Sequence, residues 1–350
     1  MLRPLLVVAS ESGAKKLANQ LLISTAPIAV DCEGARLGRF GPMSLIQIGL
    51  EDGTVALIDA LRPKTVESMR PVFESESLLK VFHDCREDSA ALFHQFDGIK
   101  LNRVFDTQVA SLLAQQRDSQ PLRQVGYSEL SHSEALDDKV KSEMKENALL
   151  WHSRPLTKEL IEYAINGVKY LLPFYNTMKG NEDEICAISK SWAEYAYLNS
   201  EVDRERIKIG TPLLGTVAAI TDRGIFFKLN LGKTGVACTP SAMKRILALA
   251  VQVGDTMELA VSGIAKNGTS IYVDHLDGDW EYFDFNRRPS KQKQKLGLNE
   301  YLHVPSIIEN PDSIDPLLRR GLGNEMDSDS DDETDHEPIL THKPIRYKIL

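Results

Sequence analysis

The sequence has few cysteines, no long apolar run and no excess of positive charge. Its four cysteines, Cys32, Cys85, Cys186 and Cys238, are far apart and form no CxxC or Cys/His cluster, which argues against a disulfide framework or a cysteine-ligated zinc site. No segment approaches the roughly 18 to 20 apolar residues that a membrane-spanning helix needs, and Met1–Val8 lacks the pattern of a secretion signal. We therefore expect an intracellular protein, cytoplasmic or nuclear, without a membrane segment.

The charge of the chain is concentrated in one acidic block. The 350 residues carry a net charge of −9, and Glu325–Glu337 alone contributes eight acidic residues and no Lys or Arg. Without this block the net charge is −1, so any surface that binds nucleic acid must be a local basic patch.

The first half of the chain alternates between strand and helix patterns. Short apolar runs bounded by Gly, Pro or Asp predict strands near residues 5–9, 28–32, 44–50, 54–58 and 78–83, and apolar residues at helical spacing predict helices near 13–22, 87–96, 106–116 and 157–175. This mixture predicts an α/β sheet covered by helices. Thr157 can cap the last of these helices, and Asn166–Gly167 is a candidate break within it.

The second half changes character twice. From about residue 208 to residue 276 the sequence is rich in β patterns, with glycines spaced like the turns of a small barrel. From residue 277 to residue 350 it loses periodicity, and we expect a largely disordered tail around the acidic block, with one short helix near residues 316–320.

Two acids stand out in an apolar strand. Asp31 and Glu33 are two residues apart, so they share one face of the strand, about 6.6 to 7 Å apart along it, while Cys32 points away. Burying two acids requires a cation or hydrogen-bond donors. The alternative is a pair of exposed or hydrogen-bonded acids at a strand end.

The surrounding sequence resembles the RNase D branch of the DEDD 3′-5′ exonucleases over about residues 5–180. The matching blocks are Val30-Asp31-Cys32-Glu33-Gly34, Leu45-Ile46-Gln47-Ile48, Val55-Ala56-Leu57-Ile58-Asp59, Val81-Phe82-His83-Asp84 with Asp88, and Arg154-Pro155-Leu156-Thr157 with Tyr163 and Tyr170-Leu171-Leu172-Pro173. The segments 104–110 and 150–153 also resemble the subgroup containing Egalitarian and its animal relatives, which are RNA-associated adaptors. The resemblance implies an RNase H-like mixed sheet with flanking helices.

In that family the matching residues form a metal site with a tyrosine, the DEDDy pattern. Asp31 would bridge two Mg²⁺ or Mn²⁺ ions, Glu33 would bind the first, Asp88 the second through water, and Tyr163 would orient the attacking water. The family's fourth acid falls at position 167, which is Gly167 in this chain. The resemblance therefore implies a site that is one ligand short.

Two neighbouring residues are candidates to replace the missing acid. Asn166 is neutral and rotated about 100° from position 167 on a helix, and Glu159 lies eight residues upstream, roughly 12 Å along the axis. Neither is expected to complete the site.

Residues 208–275 resemble an S1 domain, a five-stranded OB barrel that binds single-stranded RNA. By that resemblance Phe226 would stack on a base, Lys228 would lie on the same face, and Lys233, Lys244 and Arg245 would be rim charges. The alternative is that Phe226 and Phe227 straddle the barrel wall and the module only packs against its neighbour.

Three hypotheses follow. The leading one is a protein that binds single-stranded nucleic acid, most simply RNA, through an impaired 3′-5′ exonuclease domain and that joins protein partners. It would consist of an exonuclease domain (1–180), a helical linker (181–207), an S1-like domain (208–276) and the tail (277–350). The second is a working two-metal 3′-5′ exoribonuclease that releases mononucleotides, and the third is a protein-interaction scaffold.

Overall fold

The computed structural model describes residues 5–24, 26–121, 123–126, 134–266, 268–276 and 347–349. Chain contacts divide the protein into two units, Met1–Gln294 with Arg346–Leu350, and Lys295–Ile345, and every described residue belongs to the first unit. The acidic block and the helix expected near residues 316–320 lie outside the described residues. None of the described helices has the length and apolarity that crossing a bilayer requires.

The secondary-structure elements alternate in the first half and become β-rich in the second. The strands are β1 (Leu5–Val8), β2 (Ile28–Gly34), β3 (Met43–Gly49), β4 (Val55–Asp59), β5 (Lys80–Phe82), β6 (Val104–Asp106), β7 (Pro212–Thr221), β8 (Gly224–Lys228), β9 (Thr234–Ala237), β10 (Thr256–Ile264), β11 (Ser270–His275) and β12 (Tyr347–Ile349). The helices are α1 (Glu11–Ser24), α2 (Arg70–Phe73), α3 (Arg86–Gln95), α4 (Thr107–Arg117), α5 (Glu134–Glu146), α6 (Lys158–Lys169), α7 (Leu171–Met178), α8 (Glu182–Ala193) and α9 (Pro240–Leu247).

The first sheet is mixed and has the strand order β12-β1-β4-β3-β2-β5-β6. β2, β3 and β4 pair antiparallel, while β1 pairs parallel with β4 and β12, and β5 pairs parallel with β2 and β6. All seven residues of β3 are buried, as its nearly continuous apolar sequence predicts. The expected mixed α/β sheet with flanking helices is confirmed. At its edge, β12 gives strand structure to three residues of a segment that was expected to be largely disordered.

Helix α6 packs across β2, β3 and β4. The side chain of Thr157 accepts a hydrogen bond from the Leu160 backbone N–H at 3.3 Å, which confirms the predicted cap. The single helix expected over residues 157–175 is wrong, because the structure separates α6 from α7 at Tyr170. The candidate break at Asn166–Gly167 is also wrong, since α6 continues through both residues to Lys169.

Helix α5 lies in the polar segment where the sequence shows little pattern. Its Val140 is fully buried, and the helix packs against α6. The segment expected as a linker contains α8, whose Ile185 and Trp192 are buried and which packs against β6 and α4.

The second sheet closes into a five-stranded barrel of order β10-β11-β9-β8-β7, with α9 between β9 and β10. Ile225 and Phe227 of β8 point into the barrel core, where they are 0% and 1% exposed. Phe226 lies between them on the opposite face and is partly exposed. Alternation along β8 therefore places one phenylalanine of the pair inside the barrel and one outside.

This arrangement predicts unequal effects for two alanine substitutions. Phe227→Ala is expected to lower the free energy of unfolding by about 3–5 kcal/mol, because it leaves a cavity in a packed core. Phe226→Ala is expected to cost clearly less, since its ring is partly in water already. Urea unfolding of the full chain measures both, and equal losses would contradict the assignment of Phe227 to the core.

Candidate functional site

Asp31 and Glu33 lie on the face of β2 that α6 covers. In the β2–β3 register Asp31 pairs with Gln47 and Ala29 pairs with Gly49. Directly paired residues share a face, and a Cβ built on Gly49 would lie 3.2 Å from the Val168 side chain of α6. The acids therefore project toward α6.

The segment before α6 is fixed to the sheet by Arg154. Its Nη2 donates to Asp59 Oδ1 at 2.6 Å and to the Ser44 carbonyl at 2.8 Å, and its Nη1 donates to the Trp151 carbonyl at 2.8 Å. Trp151 is buried, and its ring lies 5.8 Å from the Tyr163 ring. These contacts set the position of α6, and hence of Tyr163, above the acids.

Gly167 lies directly against Asp31. A Cβ built at position 167 would be 2.5 Å from Asp31 Oδ2. The position of a fourth acid is therefore occupied in part by the carboxylate of the first. Glu159 pairs with Lys139 at 4.0 Å and is not placed to substitute.

A cavity of about 310 Å³ separates β2 from α5 and α6. Its lining residues are Asp31, Cys32, Glu33, His83, Lys141, Tyr163, Asn166 and Gly167. The structure thus brings together three of the four expected catalytic residues. Asn166 lines the cavity as well, although helical geometry was expected to direct it away.

Two further residues line the cavity, and one of them, Lys141, was not indicated by the sequence. Lys141 of α5 contributes an ammonium group, and it was missed because nothing in the polar sequence of α5 connects it with β2. The ring nitrogens of His83 hydrogen-bond to Thr107 Oγ1 and to the Val125 carbonyl, both at 2.8 Å.

Asp88, the third residue of α3, is buried beside β2 but is not among the cavity-lining residues. The thiol of Cys32 shares a hydrogen bond with its carboxylate. The other oxygen, Oδ1, is buried without a hydrogen-bond partner among the described residues. The amide of Gln47, next to Asp31 in the register, is also buried with no partner among those residues.

Burial disfavours the ionised forms of Asp31 and Asp88. Burial raises the pKa of Asp31 to about 7. Burial raises the pKa of Asp88 well above its usual range, and the nearby charge of Asp31 raises it further. In contrast, Asp84 is stabilised as a carboxylate: burial alone would raise its pKa, but the cations of Arg86 and Lys228 outweigh that effect and hold the pKa well below its usual value.

The donor set falls short of a two-ion centre. Carboxylate oxygens suit Mg²⁺ or Mn²⁺, and the unpartnered oxygen of Asp88 is the kind of atom that a cation satisfies. However, Gly167 supplies no ligand, and no three His, Cys, Asp or Glu side chains of the described segments are grouped closely enough to hold an ion. The described residues therefore do not fit the pair of ions that the resemblance implied.

The barrel residues that were expected to bind nucleic acid differ from one another in their exposure and in their contacts. Phe226 is partly exposed on the outer face of β8, and Lys244 is exposed on α9. Lys228 shares that outer face with Phe226, but its Nζ lies 2.8 Å from Asp84 Oδ2 of the first domain. Lys228 is therefore engaged in an ion pair.

The two remaining rim cations are also engaged within the barrel. Lys233 Nζ donates to the Gly268 carbonyl at 2.6 Å. Arg245 forms an ion pair with the buried carboxylate of Asp274. Of the predicted basic residues, Lys244 is the most exposed to solvent.

Comparison with known protein families identifies the class of protein to which this mixed sheet and its two acids belong. A family model described as 3′-5′ exonuclease matches residues 6–181, half of the chain. The chain therefore belongs to this 3′-5′ exonuclease family, which confirms the exonuclease domain that the resemblance implied.

Individual relatives match the same half. Mouse piRNA biogenesis protein EXD1 is 32% identical over 160 residues, covering 42% of this chain and 28% of that protein. Ribonuclease D of Granulibacter bethesdensis is 31% identical over 176 residues, covering 49% of this chain and 42% of that protein. The solved structure of Trypanosoma brucei RNase D has 26% identity over 55% of this chain and 73% of that chain, with a TM-score of 0.47. This chain spans less than half the length of either curated relative.

Burial of the Asp88 carboxylate next to Asp31 predicts a stabilising substitution. In metal-free buffer, Asp88→Asn is expected to raise the free energy of unfolding at pH 8, because the neutral amide avoids burying a second negative charge beside Asp31. Because the pKa of Asp88 is raised by folding, its ionisation reduces stability above the unfolded pKa, so the gain should shrink at pH 5.

Urea unfolding at both pH values measures this effect. The exposed residue Asp222 provides a control, and Asp222→Asn should change little at either pH. A loss of stability in Asp88→Asn at both pH values would mean that contacts of the carboxylate outweigh the repulsion.

Proposed function

We propose that this protein binds the 3′ end of single-stranded RNA in its exonuclease domain and hydrolyses it weakly or not at all. One observation carries the proposal: the residue that faces Asp31 from α6, where the family's fourth acid would stand, is Gly167, and its Cβ position lies 2.5 Å from Asp31 Oδ2. The site therefore lacks the fourth ligand, and a side chain at position 167 would fit only if the end of the Asp31 side chain moved. This arrangement disfavours a bound pair of cations, by which two-metal nucleases stabilise the attacking and leaving oxygens of in-line phosphodiester hydrolysis.

Binding does not depend on the missing acid. The cavity offers the ammonium of Lys141, the ring of Tyr163 and the amide of Asn166 beside the two acids. These groups can contact a phosphodiester and a base without a fourth carboxylate. The ribonuclease D names of the relatives favour RNA as the polymer.

We further propose that the barrel is an S1-like OB module. Five strands closed into a barrel, with a helix between the third and fourth, support this assignment. The outward ring of Phe226 is available to stack on a base, and Lys244 is available to a phosphate. The same proposal includes three further points. The protein binds protein partners, its exonuclease domain belongs to the DEDDy subgroup, and its domains divide at residues 180, 207 and 276.

A working 3′-5′ exoribonuclease is the second candidate. Two observations favour it: the chain belongs to the exonuclease family, and Oδ1 of Asp88 has no hydrogen-bond partner among the described residues. It requires Asp31 to rotate away from α6 and Asp88 to reach the cavity. An activity measurement separates the two candidates.

Restoring the acid tests the proposal. The wild-type chain is expected to release little mononucleotide from end-labelled single-stranded RNA in Mn²⁺, and Gly167→Asp is expected to raise the release by about tenfold or more, a change of about 1.4 kcal/mol in the barrier. The new side chain must displace Asp31 Oδ2, which is the mobile end of a side chain, so the helix should tolerate it.

Matched variants control this experiment. Gly167→Ala adds the same Cβ without the carboxylate and should remain inactive, and Asp31→Asn combined with Gly167→Asp should remove the gain. Release of mononucleotides by the wild type, abolished by Asp31→Asn alone, would overturn the proposal in favour of the second candidate. A folded but inactive Gly167→Asp would mean that the fourth acid is not the only defect.

The proposed RNA contact of the barrel predicts a separate effect on the affinity for single-stranded RNA. Phe226→Ala is expected to weaken binding of single-stranded RNA by about 1–3 kcal/mol if its ring stacks on a base. Leu249→Ala, which also shortens an exposed apolar side chain of the barrel region, should leave the affinity unchanged. Fluorescence anisotropy with labelled RNA measures both. Equal affinity of Phe226→Ala and the wild type would rule out stacking at this position.

A further inference from the structure

The turn that precedes α3 is held by an unusual number of contacts. Asp84 has a left-handed backbone with φ of +61°. The backbone N–H groups of Asp84 and Cys85 donate to the two carboxylate oxygens of Asp106 at 2.9 and 2.8 Å. A non-glycine residue keeps this conformation only where its surroundings impose it. The turn fixes where α3 begins and therefore where Asp88, in the first turn of α3, is held.

A fully buried arginine extends this network. Arg86 donates from Nε and Nη2 to the carboxylate of Asp84, and its guanidinium stacks 3.8 Å above the ring centre of Trp192 on α8. A buried guanidinium is costly unless a carboxylate pairs with it. The Asp84 carboxylate is therefore required next to Arg86 to balance the buried guanidinium charge.

The barrel reaches this carboxylate with Lys228. Its Nζ lies 2.8 Å from Asp84 Oδ2, across 144 residues of chain, and the two side chains are 24% and 21% exposed. Partial burial strengthens such a pair relative to one on the surface. Oδ2 of Asp84 thus receives Lys228 from the barrel and Arg86 from α3 together.

Two further contacts connect the barrel with the same region. The backbone N–H of Asn230, just after β8, donates to Tyr195 Oη at 2.7 Å, and Tyr195 Oη donates to Glu87 Oε1 in the first turn of α3 at 3.1 Å. A Cβ built on Gly254, before β10, would be 3.3 Å from the Trp192 ring. Three contacts of the barrel therefore converge on the start of α3 or on the ring beneath Arg86.

The side chain of Asn230 secures the same junction. Its Nδ2 donates to the carbonyls of Tyr195, Ala196 and Leu198 at 3.0 to 3.1 Å. These residues follow α8 in the first domain. The barrel is therefore docked on the exonuclease domain by buried polar contacts, and Lys228 occupies a defined place among them.

We propose that Lys228 is a positioning residue: through the Asp84–Lys228 ion pair, the docked barrel holds the first turn of α3, and with it Asp88, in place. This assigns Lys228 to the junction between the barrel and the exonuclease domain, in contrast to the RNA-phosphate contact expected from its sequence. It makes the barrel a structural support of the exonuclease domain. The inference bears on the proposed function, but its geometry does not depend on RNA.

Hydrogen–deuterium exchange of the full chain without RNA tests the proposal. Lys228→Met removes the charge and keeps the aliphatic length, and it should accelerate exchange of the amides of residues 86–92 by about tenfold. Lys244→Met, at an exposed lysine of the same barrel, should leave them unchanged. Lys228→Arg should keep exchange as slow as in the wild type, because arginine also places a cation next to Asp84. Lys228→Gln serves the same comparison if Lys228→Met does not fold.

RNA affinity measured against salt concentration separates this role from a phosphate contact. If Lys228 contacts phosphate, Lys228→Met reduces both the affinity and its salt dependence, while exchange at residues 86–92 stays at the wild-type rate. That result would overturn the proposal. If the protein binds no RNA at all, the proposed function fails, yet accelerated exchange in Lys228→Met with rescue by Lys228→Arg would still support the positioning role.

Discussion

The close approach of α6 to β2 is the constraint on which the candidate site depends. The helix can lie this near the sheet because Gly167 has no side chain above Asp31 and Gly49 has none beneath Val168. Arg154 and the Thr157 cap hold the helix there from its N-terminal end. A carboxylate at position 167 would need part of the space that the end of the Asp31 side chain fills, so Asp31 would have to change its side-chain conformation to admit it.

Much of this architecture follows from local sequence. The apolar runs predict β2, β3 and β4 because strands buried on both faces contain few polar residues, and their order brings Asp31 and Glu33 into one cavity with Tyr163. The division between α6 and α7 was missed, although Pro173 explains it. Proline has no N–H to donate to the carbonyl of Lys169, and its ring would clash with that carbonyl, so one continuous helix is disfavoured.

The surroundings of the charged residues could not be predicted in the same way. Alternation along β8 shows that Phe226 and Lys228 share a face, but it contains no information on what covers that face. The partner of Lys228 is 144 residues away, and a lysine has the same sequence pattern whether it faces solvent, phosphate or Asp84. Lys141 was missed for a related reason, because α5 has few apolar residues and its position depends on the packing of Val140 against the first domain.

Buried polar atoms without hydrogen-bond partners among the described residues occur at the candidate site and also elsewhere, for example at Arg86 Nη1 and Asn230 Oδ1. The amide of Gln47 and Oδ1 of Asp88 are buried without partners among the described residues, and each such group costs about 1–3 kcal/mol. Together with the repulsion between Asp31 and Asp88, they are departures from good packing of the kind that collect at functional sites. In the function that we propose, hydrolysis and binding draw on different parts of this site, since hydrolysis uses the acid that Gly167 lacks and binding uses Lys141, Tyr163 and Asn166. One property can therefore be lost while the other persists.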